Sequence, residues 1–486
     1  IYDAVKYGIL DEKILDRNVK RVLELVVKCH SFNNYNYPNE TDLKAHATVS
    51  RQAGSEGIVL LANNGVLPID KKINQIALYG TTSYDMVPAG MGFGSTGFGR
   101  YTVSMVEGLR KASYTVDKKL TQQYQKHLQE EQKRLFPNGR PPFSFTPPPR
   151  ADEFLPTAEE MAAQVKLNDL AILTIGRTSG EAKDRHANEF YLTKNENALL
   201  KQVSDAYHAA GKKVVVILNI CSPVETESWK SMADAIICAF QPGQEVGHCV
   251  TDVLTGEVNP SGKLPVTFAL KYGDAPSDNN FPFDYEFKMP SFMMGSGMNV
   301  QRDQKEVKPK ESERNVDFTN YEEGIYVGYR YFDTFNKEVS YPFGFGLSYT
   351  TFDYEVISSS ILNENCEVKV KVTNSGQVAG KEAVQLYVKA PGKDLNKPSK
   401  ELKALAKTKE LKPGESEVVT LIWNLMDMSS FNVKTSSWVL EKGIYQWLVS
   451  ASSTDVRCSV NQDIARVKTM KAHNVMAPQA EIKTIR

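Results

Sequence analysis

The sequence predicts a multi-domain protein. A layered α/β unit with a mainly parallel sheet is followed by an all-β sandwich. Three observations carry this. Short apolar runs alternate with amphipathic segments between residues 76 and 268. Such alternation argues a parallel sheet covered by helices. After Thr350 the pattern changes to alternating runs separated by turn signals, which suggests a sandwich of roughly seven strands. The length of 486 residues accommodates two to three such domains.

In chain order, residues 1–30 read as helical. Asp11 or Asp16 can cap, and Ile14, Val19, Val22, Leu23 and Val26 recur at helical spacing. These helices cannot bury their apolar faces alone. Residues 31–42 are rich in Asn, Tyr and Pro and read as a linker, with a helix expected around Lys44–Leu61. Candidate strands follow at Ile76–Tyr79, Ser113–Val116, Leu170–Ile175, Lys213–Asn219, Ala235–Phe240 and Leu264–Phe268. Helical patterns lie at Val103–Lys111, Ala158–Val165, Glu196–Ala210 and Val246–Leu254. Leu120–Arg134 is a polar helical insertion, and the Pro-rich 136–156 reads as a surface loop. Residues 270–320 lose periodicity and read as a long loop, a class that is often functional. Candidate β runs are Phe352–Ile357, Glu367–Thr373, Ala383–Val388, Ser416–Trp423 and Tyr445–Ala451; residues 466–486 read as a basic tail.

Lys plus Arg equals Asp plus Glu, 58 each. That balance provides no global field for nucleic acid or an anionic membrane. No apolar run reaches transmembrane length. The chain starts at Ile1 without a signal-like segment, so the compartment stays open between bacterial cytoplasm and periplasm or secretion. The six cysteines are irregularly spaced and form no CxxC pair, so buried reduced thiols are expected rather than a disulfide framework or zinc site.

The chemistry concentrates after the run Leu170–Ile175. Gly176-Arg177-Thr178-Ser179-Gly180-Glu181 turns sharply there, with Asp184 and Arg185 close behind. Ligands of α/β sheets sit outside the carboxyl ends of strands. Glu181 is therefore the best-placed acid, suited to general acid work if its surroundings raise its pKa; a solvated loop Glu is the ordinary alternative. Gly92-Phe93-Gly94-Ser95-Thr96-Gly97 fits GxGxxG, with Asp117 downstream. The motif neither follows its strand at once nor opens a helix, so an NAD-type cofactor is not expected. A loop offering Ser95 to a polar ligand fits better. GxSxG is not met at Ser95. Glu245 sits where an acid commonly serves the helix dipole. His186 and His248 lack metal-ligand companions, and no metal or cofactor is expected. The aromatics of 326–349 suit either a sugar site or domain packing.

Several motifs resemble glycoside hydrolase family 3. Thr178-Ser179-Gly180-Glu181 with Asp184-Arg185 resembles its SGE(G)xDR loop. Gly57-Ile58-Val59-Leu60-Leu61-Ala62-Asn63 with Leu67-Pro68 is similar to its second-domain entry. Asn219-Ile220-Cys221-Ser222-Pro223-Val224-Glu225, Gln241-Pro242-Gly243-Gln244-Glu245 and Asn259-Pro260-Ser261-Gly262-Lys263-Leu264-Pro265 follow in the family's order. So do Ile325–Phe332 and Phe343–Tyr349.

The resemblance implies an α/β/α sandwich followed by a fibronectin-III-like domain. It also implies that residues 1–30 are the last helices of a (β/α)8 barrel otherwise absent from the chain, with Asp16–Leu23 resembling its final helix. The resulting division is 1–30 barrel helices, 31–55 linker, 56–270 α/β/α sandwich, 271–350 long loop and aromatic segment, 351–465 fibronectin-III-like domain and 466–486 tail.

The resemblance further implies a retaining exo-β-glycosidase. Glu181 maps to its general acid/base, Ser95 to a substrate contact, and Asp184 and Arg185 to the supporting loop. Ala182 and Cys221 stand where the family usually has Gly. The nucleophilic Asp lies on the barrel in an S-D-W/Y motif that this sequence lacks. The expected substrate is a β-linked gluco-oligosaccharide or an aryl or alkyl β-glucoside, with β-xylosidase and a non-catalytic remnant as alternatives. The expected partners are the missing barrel and a second copy in a homodimer. Without the barrel, no hydrolysis is expected from the chain.

Overall fold

The computed structural model describes residues 1–37, 40–90, 100–139, 149–179, 185, 187–279, 319–392, 394–476 and 480–485. The chain divides into two compact units, Ile1–Thr48 and Val49–Arg486.

In the first unit, α1 spans Tyr2–Lys6 and α2 spans Glu12–Val26. Of the two candidate caps it is Asp11 that starts α2, accepting from the Lys13 N–H. The apolar positions at helical spacing are exposed, Val22 at 61% and Leu23 at 56%. Helix α3 (Leu43–Gly57) begins in this unit and continues into the next.

The second unit opens on a correction. The helix expected to Leu61 stops at Gly57, and Val59–Asn63 is a strand, β1. Val59, Leu60 and Leu61 are all buried. A continuous apolar run of that length cannot be told from a buried helical segment by periodicity. The 31–55 linker likewise contains most of α3.

The central sheet adds β2 (Gln75–Tyr79), β3 (Thr115–Val116), β4 (Leu170–Gly176), β5 (Lys213–Asn219) and β6 (Ala235–Cys238). Its order is β1-β6-β5-β4-β2-β3. All pairings are parallel except β1 with β6. The helices are α4 (Met105–Lys111), α5 (Lys118–Leu135), α6 (Ala158–Leu167), α7 (Lys194–Ala209) and α8 (Val246–Thr255).

The strands alternate between two cores, as their two-residue side-chain period requires. Leu173, Val216 and Tyr79 pack with Tyr124 of α5, Met161 of α6 and Leu200 of α7. Ile172, Val215 and Leu78 pack with Leu109 of α4 and Val250 of α8. This is the three-layer sandwich the sequence predicts.

Leu264–Phe268 does not join the sheet. Pro265 lacks the N–H a ladder needs, and only β7 (Phe268–Ala269) is extended, pairing with β8 (Val339–Tyr341). The run expected to reach Phe240 ends at Cys238; Phe240 has a φ of 49°. Most of the expected long loop, residues 280–318, lies outside the described residues, and the aromatic segment that follows holds α9 (Tyr329–Thr334) and β8.

The β-sandwich packs β13-β10-β9 against β12-β11-β16-β17. Their ranges are β9 Phe352–Leu362, β10 Asn365–Asn374, β11 Ala383–Lys389, β12 Glu401–Lys407, β13 Ser416–Asn424, β16 Gly443–Ser450 and β17 Val456–Ile464. These seven strands match the expected number, although β12 and β17 had no clear sequence signal. Trp423 and Trp447 meet edge to face across the core at 4.5 Å. A further small sheet holds β14 (Ser430–Asn432), β15 (Ser437–Leu440) and β18 (Lys468–Lys471). The predicted tail therefore begins with a paired strand.

The aromatic segment packs domains together. Tyr329 stacks on Phe343 at 4.6 Å and meets Tyr387 of β11 edge on. Of the cysteines expected to be buried, Cys238, Cys249 and Cys366 are; Cys221 and Cys458 are half-buried and Cys29 is exposed.

Candidate active site

The sequence β2-β3-β4 creates the relevant geometry. From β2 the chain moves outward to β3, then crosses back to place β4 on the other side of β2. The strand order thus reverses between β2 and β4. Ligands of open α/β sheets bind in the crevice at such a point. The Gly176-Arg177-Thr178-Ser179 segment leaves β4 there.

Two glycines permit the close approach. Gly80, ending β2, has a φ of 85°, and a Cβ there would lie 2.3 Å from the Thr174 carbonyl oxygen. A Cβ on Gly176 would lie 2.4 Å from Thr82 Oγ1 and 2.8 Å from Arg150 Nη2. The Gly80 contact is with backbone and excludes any side chain, whereas a Cβ on Gly176 would require the Thr82 and Arg150 side chains to move.

Arg177 anchors the start of the loop. Its guanidinium donates to both Glu196 carboxylate oxygens at 2.6 and 2.8 Å. It also donates to the carbonyls of Gly176, Glu189 and Tyr191. Glu196 closes a capping box with Thr193 at the start of α7. Burial opposes the Arg177 charge, but the Glu196 carboxylate more than offsets it and raises the guanidinium pKa.

Arg185 anchors the loop's far end. It donates to Ser222 Oγ, to the Pro223 carbonyl at 3.1 Å and to the Glu189 carbonyl at 2.7 Å. Burial lowers its pKa. These contacts tie Arg185 to the turn after β5 and to the Glu189 carbonyl. Glu181, Asp184, Ser95 and His186 lie outside the described residues.

The other motifs frame this loop. Asn219, ending β5, donates to the Val87 and Phe240 carbonyls at 2.9 and 2.6 Å and accepts from the Val87 N–H at 2.7 Å. Gln241 donates to the Arg177 carbonyl at 3.1 Å. Glu245 serves a local network rather than a helix dipole alone, accepting from Tyr101 and lying 2.7 Å from His248 Nδ1. Burial works to raise its carboxyl pKa, yet these two partners bring it below the ordinary value. His248 is thus partnered, not solvated.

Sequence reasoning missed a second layer beside the loop. Arg150 donates to Thr82 Oγ1 at 2.7 Å. Burial lowers its pKa, against the fields of Asp85 and Glu153. Burial pushes the Glu153 carboxyl up to about 7, although the Thr81 N–H and hydroxyl bond to it, both at 2.9 Å. Both residues sit in the Pro-rich stretch, where no periodicity marks a buried side chain. The Thr193-x-x-Glu196 capping signature was the available clue to Glu196. Among the described residues no cluster of His, Cys, Asp and Glu could hold a metal ion, and no helix is long and apolar enough to cross a membrane.

Residues 58–349 match the glycosyl hydrolase family 3 C-terminal domain, more than half of the chain, and residues 382–453 match the fibronectin type III-like domain. The chain belongs to glycoside hydrolase family 3. It is 33% identical over 466 residues to beta-glucosidase A of Butyrivibrio fibrisolvens, covering 86% of this chain and 51% of that protein. It is 34% identical over 468 residues to thermostable beta-glucosidase B of Acetivibrio thermocellus, covering 94% and 53%. The structure of beta-glucosidase 3B from Thermotoga neapolitana in complex with glucose superposes with a TM-score of 0.83 at 39% identity, covering 97% of this chain and 61% of that one. This family 3 chain spans about half the length of the curated relatives it matches.

Proposed function

We propose that this family 3 glycosidase chain supplies the acid/base half of an exo-acting, retaining β-glucosidase that releases terminal β-D-glucose. The observation that carries the reading is the double anchoring of the 176–185 loop. Arg177 and Arg185 pin its two ends at the carboxyl end of β4, beside the reversal of strand order. The acid in that loop is Glu181.

In the proposed mechanism an aspartate outside these 486 residues attacks the anomeric carbon. The glycosidic C–O bond breaks, and Glu181 gives its proton to the leaving oxygen. Glu181 then takes a proton from water, which attacks the glycosyl-enzyme and releases the sugar with its configuration retained. Ser95 contacts the bound sugar, and Asp184 with Arg185 shapes the loop. The exposed apolar face of α2 supports reading residues 1–30 as barrel helices awaiting the rest of that barrel.

The test uses an aryl β-glucoside and an aryl β-xyloside with the chain alone and with the chain joined to a family 3 barrel. Turnover is expected only in the joined form, higher for the glucoside, and reduced about 10²–10⁴-fold by Glu181→Gln. Turnover by the chain alone that Glu181→Gln abolishes would overturn the division into halves. Undiminished turnover in the joined Glu181→Gln form would overturn the acid/base role.

A further inference from the structure

The equal totals of basic and acidic residues conceal a local asymmetry. Residues 428–440 and 464–476 contain no Asp or Glu, yet they hold Lys434, Arg466, Lys468 and Lys471. The fold brings the two segments together in the small sheet of β14, β15 and β18. Its register lines up an apolar row. Phe431 pairs with Trp438, and Trp438 pairs with Met470. Directly paired residues of neighbouring strands share a face, so Phe431, Trp438 and Met470 stand side by side. The two rings meet edge to face at 5.3 Å. At its base this face is buried, where Leu440 enters the sandwich core. Toward the β14–β15 turn it is bare, with Trp438 41% exposed and Val433, in the turn, 70% exposed. The Ala472 N–H bonds to the Ser436 carbonyl, so the chain leaves β18 beside that turn. It then exposes Val475 and Met476 almost completely.

A contiguous exposed apolar cluster marks a contact with another body. Candidate occupants ask different things of it. A second copy docked through a two-fold axis would set this patch against itself, cation against cation. A neutral glycan needs acceptors for its hydroxyl protons. These segments offer no carboxylate, and Asn432 Oδ1 already accepts from the Lys434 and Thr435 N–H groups. A polyanion would meet the cations but leave the apolar row uncovered. An anionic bilayer uses both. Indole rings settle at head-group depth, aliphatic side chains enter the acyl boundary, and ammonium groups meet the phosphates. Lys468 is paired with Glu364. Lys434 and Lys471 are exposed and have no carboxylate partner among the described residues, so both are available.

We infer that the β14–β15 turn and β18 form a docking surface for an anionic phospholipid bilayer. Val433, Phe431 and Trp438 enter the head-group region, and Lys434 and Lys471 meet the lipid phosphates. The contact is peripheral and reversible, and salt weakens it because its charges are solvated. It is independent of the acid loop and of the reaction that loop serves.

The chain carries its own reporter. Of its four tryptophans, Trp229, Trp423 and Trp447 are buried and only Trp438 is exposed. The experiment mixes the 486-residue chain with vesicles of phosphatidylglycerol and acyl-brominated phosphatidylcholine, and reads tryptophan quenching together with co-sedimentation. Quenching and co-sedimentation are expected with these vesicles, not with brominated phosphatidylcholine alone, and both should fall as salt is raised. Lys434→Glu/Lys471→Glu keeps the reporter and should weaken partitioning by roughly fivefold or more for each lysine changed. Val433→Asp should weaken it as well. Unchanged unfolding midpoints establish that these surface variants fold. Co-sedimentation without quenching would place the lipid contact elsewhere, for instance on the exposed face of α2, and would overturn the assignment. So would vesicle binding that the lysine changes leave intact, or no binding at all. Without lipid quenching, protection of Trp438 from acrylamide by a cello-oligosaccharide would assign the surface to a glycan. A dimer dissociated by Val433→Asp would assign it to a second copy, and heparin binding lost in the lysine variant to a polyanion; each would overturn the bilayer.

Discussion

Replacing Arg177 by Met removes the guanidinium but keeps an unbranched side chain of similar reach. Arg177 and Glu196 are 10% and 9% exposed, so the Glu196 carboxylate would be left buried and unpaired. The Gly176, Glu189 and Tyr191 carbonyls would also lose their donor. Breaking a buried pair from one side costs about 3–5 kcal/mol. That range applies here because both partners are buried and the pairing is bidentate. Removing both charges is different. In Arg177→Met/Glu196→Met no charge remains to be desolvated, and the double variant should recover about 1–3 kcal/mol relative to the summed single changes. Arg177→Lys keeps the charge but cannot reach both oxygens and three carbonyls, so it should fall between wild type and Arg177→Met. Urea unfolding at constant m reads all of these. A cost below about 1 kcal/mol for Arg177→Met, or strict additivity of the pair, would refute the view that this ion pair anchors the loop.

Two further predictions concern pH. The Glu153 carboxyl rises from 4.5 to about 7 on folding. Between those values the folded state keeps a proton that the unfolded chain has lost. Stability from this group is therefore complete below about 4.5 and is lost as pH rises through about 7, by about 3 kcal/mol at about 1.4 kcal/mol per pH unit. Glu153→Gln, which mimics the neutral acid, should flatten the profile of unfolding free energy between pH 5 and 8; profiles that run parallel to wild type would contradict the assignment. Glu56 has the opposite sign. Hydrogen bonding to Lys381, reinforced by Lys407 against the cost of burial, holds its carboxyl at about 2. Its contribution is present above about 4.5 and is lost as pH falls through about 2. The three side chains are each about a quarter to a third exposed, so solvent screening reduces the expected cost of Glu56→Gln at pH 7 to about 1–2 kcal/mol. An undiminished unfolding midpoint at pH 7 in this variant would show that the tie between α3 and the β-sandwich contributes nothing.

The parts of the fold that could be read in sequence are those where one periodicity dominates. Strand β4 is seven buried residues that follow Asn168-Asp169 and end on Gly176, and its span was readable to within a residue. Helix α5 repeats Leu120, Tyr124 and Leu128 on a polar background. Strand β1 was not readable because Gly57-Ile58-Val59 continues a helix without a polar break. The antiparallel edge it adds to the sheet depends on pairing with β6, 170 positions and more away. Strand β12 shows Glu401-Leu402-Lys403-Ala404-Leu405-Ala406-Lys407, an alternation too weakly apolar to stand out. Its position on the edge of the sheet explains that composition, since charged side chains there discourage pairing with other chains.

The site divides along the same physical line. A strand end followed by glycines is a local signal, so the stretch that carries Glu181 could be found without any tertiary knowledge. The groups that fix it act from a distance. Glu196 lies 19 positions from Arg177, and Ser222 lies 37 positions from Arg185. Each is an ordinary polar residue in its own neighbourhood, and only the parallel stacking of β4 on β5 brings them to one end of the sheet. Arg150 is the extreme case. It follows Pro147-Pro148-Pro149, where composition argues a solvated loop. Nevertheless it lies against Thr82 because Gly176 has no side chain to keep it out. A single Cβ at Gly176 would displace the guanidinium from Thr82. The glycine that ends β4 therefore also admits the Arg150 guanidinium, so this strand end and the Pro-rich insertion are physically coupled at one residue.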